Sequence, residues 1–241
     1  MDFLLTEARN FGADGGIFYQ IIGSILIVFG AALLSFPIAM GAAICNSEYI
    51  TNRKIRDIAG TMIYGLNGVP SIIFGVFGLI FFVNFLKTGI SWFVGSIILG
   101  SMILPTIVVA ALNSMNSIPN VYRESALALG LDKWRVILSV VIPQSFSGAL
   151  SGLFIGLARA IGETAPIMFI ATAFSGVLVP SSFFEPVTTL PTHILALSEQ
   201  ATNPQALTNA WGAASVLVML VFVFSISSLF TRIKFKGASF K

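Results

Sequence analysis

Along this chain, long apolar stretches alternate with short polar segments that collect nearly all the charges. A membrane-crossing helix needs about 20 mostly apolar residues. Five runs qualify: Ile17 to Cys45, Ala59 to Leu86, Gly89 to Leu112, Ser145 to about Phe174, and Asn209 to Thr231. Only the fourth contains charges, Arg159 and Glu163. The pattern predicts an all-α, polytopic membrane protein with five transmembrane helices. Residues 1–16 carry Asp2, Glu7 and Asp14 and lack the basic start of a signal peptide. They read as an extracytoplasmic lead-in to a transmembrane domain over 17–241.

Composition removes the soluble alternatives. The 241 residues are 56% hydrophobic and 10% charged, against about 25% charged in a soluble domain. One Cys and one His exclude zinc clusters and disulfide frameworks, which need several such ligands. A dispersed net charge of +3 gives no nucleic-acid surface. Cys45 reads as a small apolar filler. His193, in the extracytoplasmic segment Pro180 to Thr208, reads as a solvated loop residue, and Trp92, Tyr49 and Trp211 near span ends fit an aromatic belt.

Lys and Arg gather on the cytoplasmic side of short loops. Arg53, Lys54, Arg56, Arg123, Lys133, Arg135, Arg232, Lys234, Lys236 and Lys241 fall on one side, and only Arg9 and Lys87 on the other. That count puts the N-terminus outside and the C-terminus inside. It also makes Asn113 to Gln144 the longest cytoplasmic segment, and turn residues divide this segment into two short helices. Pro119 suits the start of the first and Gly130 its left-handed end. Asp132 is placed to cap Lys133 to Ile142, and Pro143 to break the chain before the membrane.

The charges of the fourth run lie about 21 and 27 Å along a helix begun at Ser145, which is mid-membrane. Each costs about 2.5 to 3.5 kcal/mol at such depth, so a functional reading is the default. Four residues apart, Arg159 and Glu163 share a helix face. An internal ion pair that only locks the bundle is the plain alternative. Gly148, Gly152 and Gly156 repeat every four residues on the same side, a stripe that admits another helix backbone closely and borders a polar pathway. Pro166 is expected to kink the helix beyond Glu163. In the second run, Gly65, Gly68 and Pro70 can unwind the helix, so that a half-helix restarts at Pro70, about 17 Å in. Asn67 and Ser71 would then line the route; a tolerated kink bonded to a neighbour is the alternative.

Glu124-Ser125-Ala126, then Gly130, then nine residues, then Val140-Val141-Ile142-Pro143, resembles the EAA segment of ABC importer permeases. The resemblance implies a coupling helix that sits in a cleft of a separate ATP-hydrolysing subunit. Ala126 and Gly130 then offer a thin surface for a socket, Glu124 and Arg123 supply rim charges, and Ser125 replaces the usual Ala. The chain has no G-x-x-x-x-G-K-[ST] and no G-x-G-x-x-G after a strand. No cofactor is therefore expected on it, with ATP and Mg on the partner, and the chain is not itself an enzyme.

Ala158-Arg159-Ala160-Ile161-Gly162-Glu163-Thr164-Ala165-Pro166 is similar to the signature of phosphate-importer permeases, in its A-type form. Similarity extends to Pro37 to Ile44, Glu48-Tyr49 and Gly68 to Gly75. It implies an inner-membrane subunit that translocates inorganic phosphate with a C-type permease, two ATP-binding subunits, an extracytoplasmic phosphate-binding protein and membrane lipid. Arg159, Glu163 and Thr164 fall on the signature and are expected along the substrate pathway. Relatives usually have six spans, so a first family helix is expected to be missing ahead of Met1. An ion-coupled anion carrier or channel that uses Arg159 and Glu163 is the rival reading. A membrane assembly factor without transport is a third reading, and neither rival needs a coupling segment.

Overall fold

The computed structural model describes residues 2–9, 12–172, 179–200 and 202–236. Phe174, the expected end of the fourth run, and Lys241 lie outside them. The described chain is helical except for one ribbon of two-residue strands, β1 (Ala8–Arg9) and β2 (Asp14–Gly15), paired antiparallel. The helices are α1 (Asp2–Leu5), α2 (Phe18–Ile44), α3 (Arg53–Asn67), α4 (Ser71–Gly78), α5 (Trp92–Asn116), α6 (Asn120–Ala128), α7 (Lys133–Val136), α8 (Ile142–Ala160), α9 (Ala165–Ile170), α10 (Leu190–Ser198) and α11 (Pro204–Lys236). Wider π-type turns extend α2 over Cys45–Tyr49 and α4 over Leu79–Phe85, and join α7 to α8 over Ile137–Val141.

Among the described residues, four helical stretches are long and apolar enough to cross a membrane: Phe18–Tyr49, Trp92–Asn116, Lys133–Ala160 and Pro204–Ile233. The bent pair α3 and α4 makes a fifth candidate. The second candidate span therefore starts at Arg53 rather than Ala59, and the helix is broken where Gly68, Val69 and Pro70 separate Asn67 from Ser71. Pro70 takes the extended cap position, and Ser71 is the first helical residue. The fourth span differs more. Pro143 does not break the chain, because the turn before it is wound more widely and Ile142 N–H already reaches back to Ile137 O. Pro143, which has no N–H to donate, is then carried inside a continuous helix.

Two compact units make up the chain, one from Met1–Leu34, Pro70–Met102 and Ala158–Val223, the other from Ser35–Val69, Ile103–Leu157 and Phe224–Lys241. In the first, the expected lead-in is folded. Phe3 O accepts from Ile17 N and Glu7 O from Gly16 N, while Phe3 packs against Ile17, Leu190 and Ala213. A β-carbon on Gly212 would stand 2.8 Å from the Phe3 ring, so a larger residue there would push the ring aside. Gly75 and Gly78 seat α4 on its neighbours: a β-carbon at Gly75 would be 2.7 Å from Pro166 Cα, and one at Gly78 2.9 Å from Ile98. In the second unit, Ile103, Ile107, Val108, Ala111 and Met115 of α5 form the buried centre with Ile137, Val141 and Ala149. Ser151 donates to Ser228 O at 2.8 Å and Ser228 returns a bond to Ser151 O at 3.0 Å, joining α8 to α11.

His193 is not the solvated loop residue its sequence context implied. It lies in α10 against Gly12, with Nε2 buried and unpartnered among the described residues. Burial lowers its pKa from 6.5 to about 4. The unfolded chain therefore binds more protons between those values. The stability held by neutral His193 is present above pH 6.5 and is lost as pH falls towards 4, on the order of 3 kcal/mol in all. The thermal midpoint of the purified protein should drop across that window, and His193→Gln should flatten the drop. A midpoint equally pH-dependent in the variant would assign the effect to other groups. Cys45, expected as a small apolar filler, is exposed.

Candidate functional site: a charged helix break and a cytoplasmic docking helix

The first unit carries Arg159, Glu163 and Thr164. Arg159 stands in the last turn of α8, whose helical path begins at Lys133 rather than Ser145. The break expected at Pro166 comes earlier, since the helix ends at Ala160 and a turn follows in which Gly162 N donates to Arg159 O and Glu163 N to Ala160 O. Pro166 then lies in the first turn of α9, where its missing N–H costs nothing. Glu163 is thus off the helix, yet its carboxylate still meets Arg159, with Nε to Oε1 at 3.6 Å. Side-chain exposure is 39% for Arg159 and 17% for Glu163, so the pair is sheltered without being sealed. The contact uses Nε alone. Both Nη nitrogens are without a protein partner among the described residues, which leaves a planar pair of donors for an incoming anion. Thr164 caps α9 by position without a side-chain bond. Ser71, half-buried, opens α4 in the same unit.

Asn67 belongs to the second unit, where Thr106 donates to its Oδ1 at 2.9 Å. That bond to a neighbouring helix is the plain alternative of the sequence reading, and its partner Thr106 had no signal beyond being polar in an apolar run. The glycine stripe is also an internal contact. A β-carbon at Gly148 would strike Ser114, one at Gly152 would strike Ala110, and one at Gly156 would come 3.2 Å from Ile103. The stripe lets α8 lie on α5 of the same chain, and this contact rather than a pathway border accounts for its small residues.

The segment after α5 forms α6 as expected, whereas the second helix, expected to stop at Ile142, starts at Lys133 and runs on into α8, and α6 turns a different face outward. Pro119 caps α6, and Gly130 takes φ +82° in open space, a conformation that glycine alone adopts without strain. Glu124 and Ser125 are exposed, whereas Ala126 is buried and so does not contribute to a thin docking surface. The outward face is instead apolar and bulky: Val121, Tyr122, Leu127, Trp134 and, at 83% exposure, Leu129. Arg123 is no rim charge. Its guanidinium turns inward to Glu48, at 3.0 Å, and to the carbonyls of Met115 and Ile118, both at 2.9 Å. In the sequence Glu48 stands out only as part of the resemblance, and nothing there ties it to Arg123.

Apolar helices of membrane-crossing length, a charged helix break and a short exposed apolar helix are features consistent with a transport permease. The family model for binding-protein-dependent transport system inner membrane components matches residues 35–236, and the chain belongs to that family. It is accordingly a multi-pass inner-membrane protein. It is 31% identical over 237 residues to a probable ABC transporter permease protein, YqgI, of Bacillus subtilis (strain 168), covering 94% of this chain and 81% of that one. With the phosphate transport system permease protein PstA of Pasteurella multocida (strain Pm70) it shares 30% identity over 241 residues, 99% of this chain and 83% of the relative. The fold is shared with the MetNI methionine ABC transporter in an inward-facing conformation, with TM-score 0.70 and 17% identity over 89% of this chain and 94% of that one.

Proposed function

We propose that this chain is the A-type permease of an ATP-driven importer and translocates inorganic phosphate across the cytoplasmic membrane. The observation that carries this reading is Arg159, whose Nε meets Glu163 at 3.6 Å while the rest of its donor fork has no hydrogen-bond partner among the described residues. Phosphate is a mono- or dianion near neutral pH, and a dry route without a positive group would present a large desolvation barrier. Arg159 lowers that barrier, and Glu163 competes for the same donors so that capture stays weak enough for release. The names of the relatives support the substrate. ATP and Mg are assigned to two separate ATP-binding subunits, with the apolar face of α6 and Trp134 as the surface that meets them. A C-type permease, an extracytoplasmic phosphate-binding protein and lipid complete the assembly. The N-terminus of this chain is placed outside and the C-terminus inside.

Purification of the chain with candidate ATP-binding subunits, followed by reconstitution in vesicles, tests the reading. ATP-dependent phosphate uptake that requires the binding protein is expected. Uptake without any ATP-binding subunit would support the carrier reading instead. Within the same system Gly130→Pro should leave the protein inserted and reduce uptake about tenfold or more, since proline cannot adopt φ +82° and the end of the docking helix must shift. Full uptake by that variant at normal expression would show that the α6 end is not the coupling surface.

A further inference from the structure

Arg123 sits on the docking helix α6 but spends its donors on three other places: Nη2 on Glu48 Oε1 at 3.0 Å and on Met115 O at 2.9 Å, and Nη1 on Ile118 O at 2.9 Å. Only 17% of its side chain and 12% of that of Glu48 are exposed. Glu48 is held in turn by Ser47 Oγ at 2.9 Å. It lies in the wide terminal turn of α2, and Met115 lies in the last turn of α5. One residue further along, Lys133 at the start of α7 stands over the Tyr49 ring, 4.6 Å from its centre. The cytoplasmic ends of two spans and both short helices of the docking segment are therefore drawn to one point.

We infer that the Arg123–Glu48 pair is the link through which movement of α6 is passed to α2 and α5, making Arg123 a positioning residue for transport and not a docking contact. A charged, hydrogen-bonded and sheltered contact resists being pulled apart, because separation would leave a carboxylate and a guanidinium without partners. Exposed apolar contacts alone would let α6 slide. The Met115 carbonyl in the last turn of α5, with the Ile118 carbonyl just beyond it, makes the link three-way, so α6 cannot rotate without carrying both span ends. The wide turn over Cys45–Tyr49 is where α2 can yield, since such turns are looser than regular helix. This inference rests on the reading of α6 as the ATPase-docking helix.

Complexes of the full chain with its ATP-binding subunits and second permease, reconstituted in vesicles, separate the possibilities by the ratio of phosphate imported to ATP hydrolysed. Failure of the wild-type chain to retain any ATP-binding subunit would reject the docking reading itself, before any variant is made. With docking intact, Arg123→Ala and Glu48→Gln should keep the ATP-binding subunits bound while the transport ratio falls about tenfold. Arg123→Lys should recover part of the ratio, because it restores the charge without the fork. The double variant Arg123→Ala/Glu48→Ala removes the stranded carboxylate, so it should regain thermal stability yet remain uncoupled. A transport ratio that recovers with stability in the double variant would overturn the inference, as would a wild-type ratio in Glu48→Gln. Should Arg123→Ala fail to assemble, Glu48→Gln and the double variant decide the question.

Discussion

Arg159→Gln should lower phosphate uptake at least tenfold while the complex remains assembled and inserted. The expectation follows from what the side chain does in the structure. It closes α8 through backbone bonds that glutamine can equally allow, while among the described residues its guanidinium is paired through Nε with Glu163. A charge-assisted hydrogen bond is worth about 1.5 to 3 kcal/mol, and 1.4 kcal/mol is about tenfold, so losing even one such donor to a passing anion accounts for the magnitude. Arg159→Lys should keep part of the uptake, since the charge survives and the fork geometry does not. Glu163→Gln should impair transport more mildly, by leaving Arg159 free to hold the anion too long. The decisive comparison is Arg159→Leu/Glu163→Leu, in which both charges vanish together. If the pair is only a clamp, that variant transports normally; vesicle uptake of labelled phosphate distinguishes the two.

The second large effect is expected at Gly152, where leucine should abolish folding of the chain even when it is produced without a second permease. The place a side chain would occupy is already filled by Ala110, with Ile107 Cα 3.5 Å away. Overpacking of a core costs about 1 to 3 kcal/mol when side chains can move, and more where a backbone stands in the way. Phe154 is only part-buried, so Phe154→Leu should be tolerated. Size-exclusion profiles of the detergent-solubilised chain alone are the measurement. A Gly152→Leu chain that is well behaved alone but fails to join its partners would move the stripe from α5 of its own chain to a subunit interface.

Much of this protein is legible in order of residues because bilayer solvation acts on single segments. Most of a run such as Gly89 to Leu112 is driven into a helix in lipid, as α5 is from Trp92 onward, since a single segment there satisfies its backbone by helical bonds. The same locality made the break at Gly68–Pro70 and the left-handed turn at Gly130 readable, each being a property of one residue's own backbone. It also placed Arg159 beside Glu163, because residues four apart are close whether or not the last turn is complete. What the pattern could not supply was anything set by a second segment. Pro143 looked like a breaker because its effect was judged from one ring, whereas the wide turn at Ile137–Val141 absorbs it. Arg123 and Ala126 looked outward because the docking helix was read alone. The inward placement of Arg123 depends on Glu48, 75 residues earlier, and on the end of α5. The chain's own order thus determined the spans, the breaks and the charged residues that matter; tertiary structure decided which side chains hold one another, because those contacts depend on distances that sequence spacing does not encode.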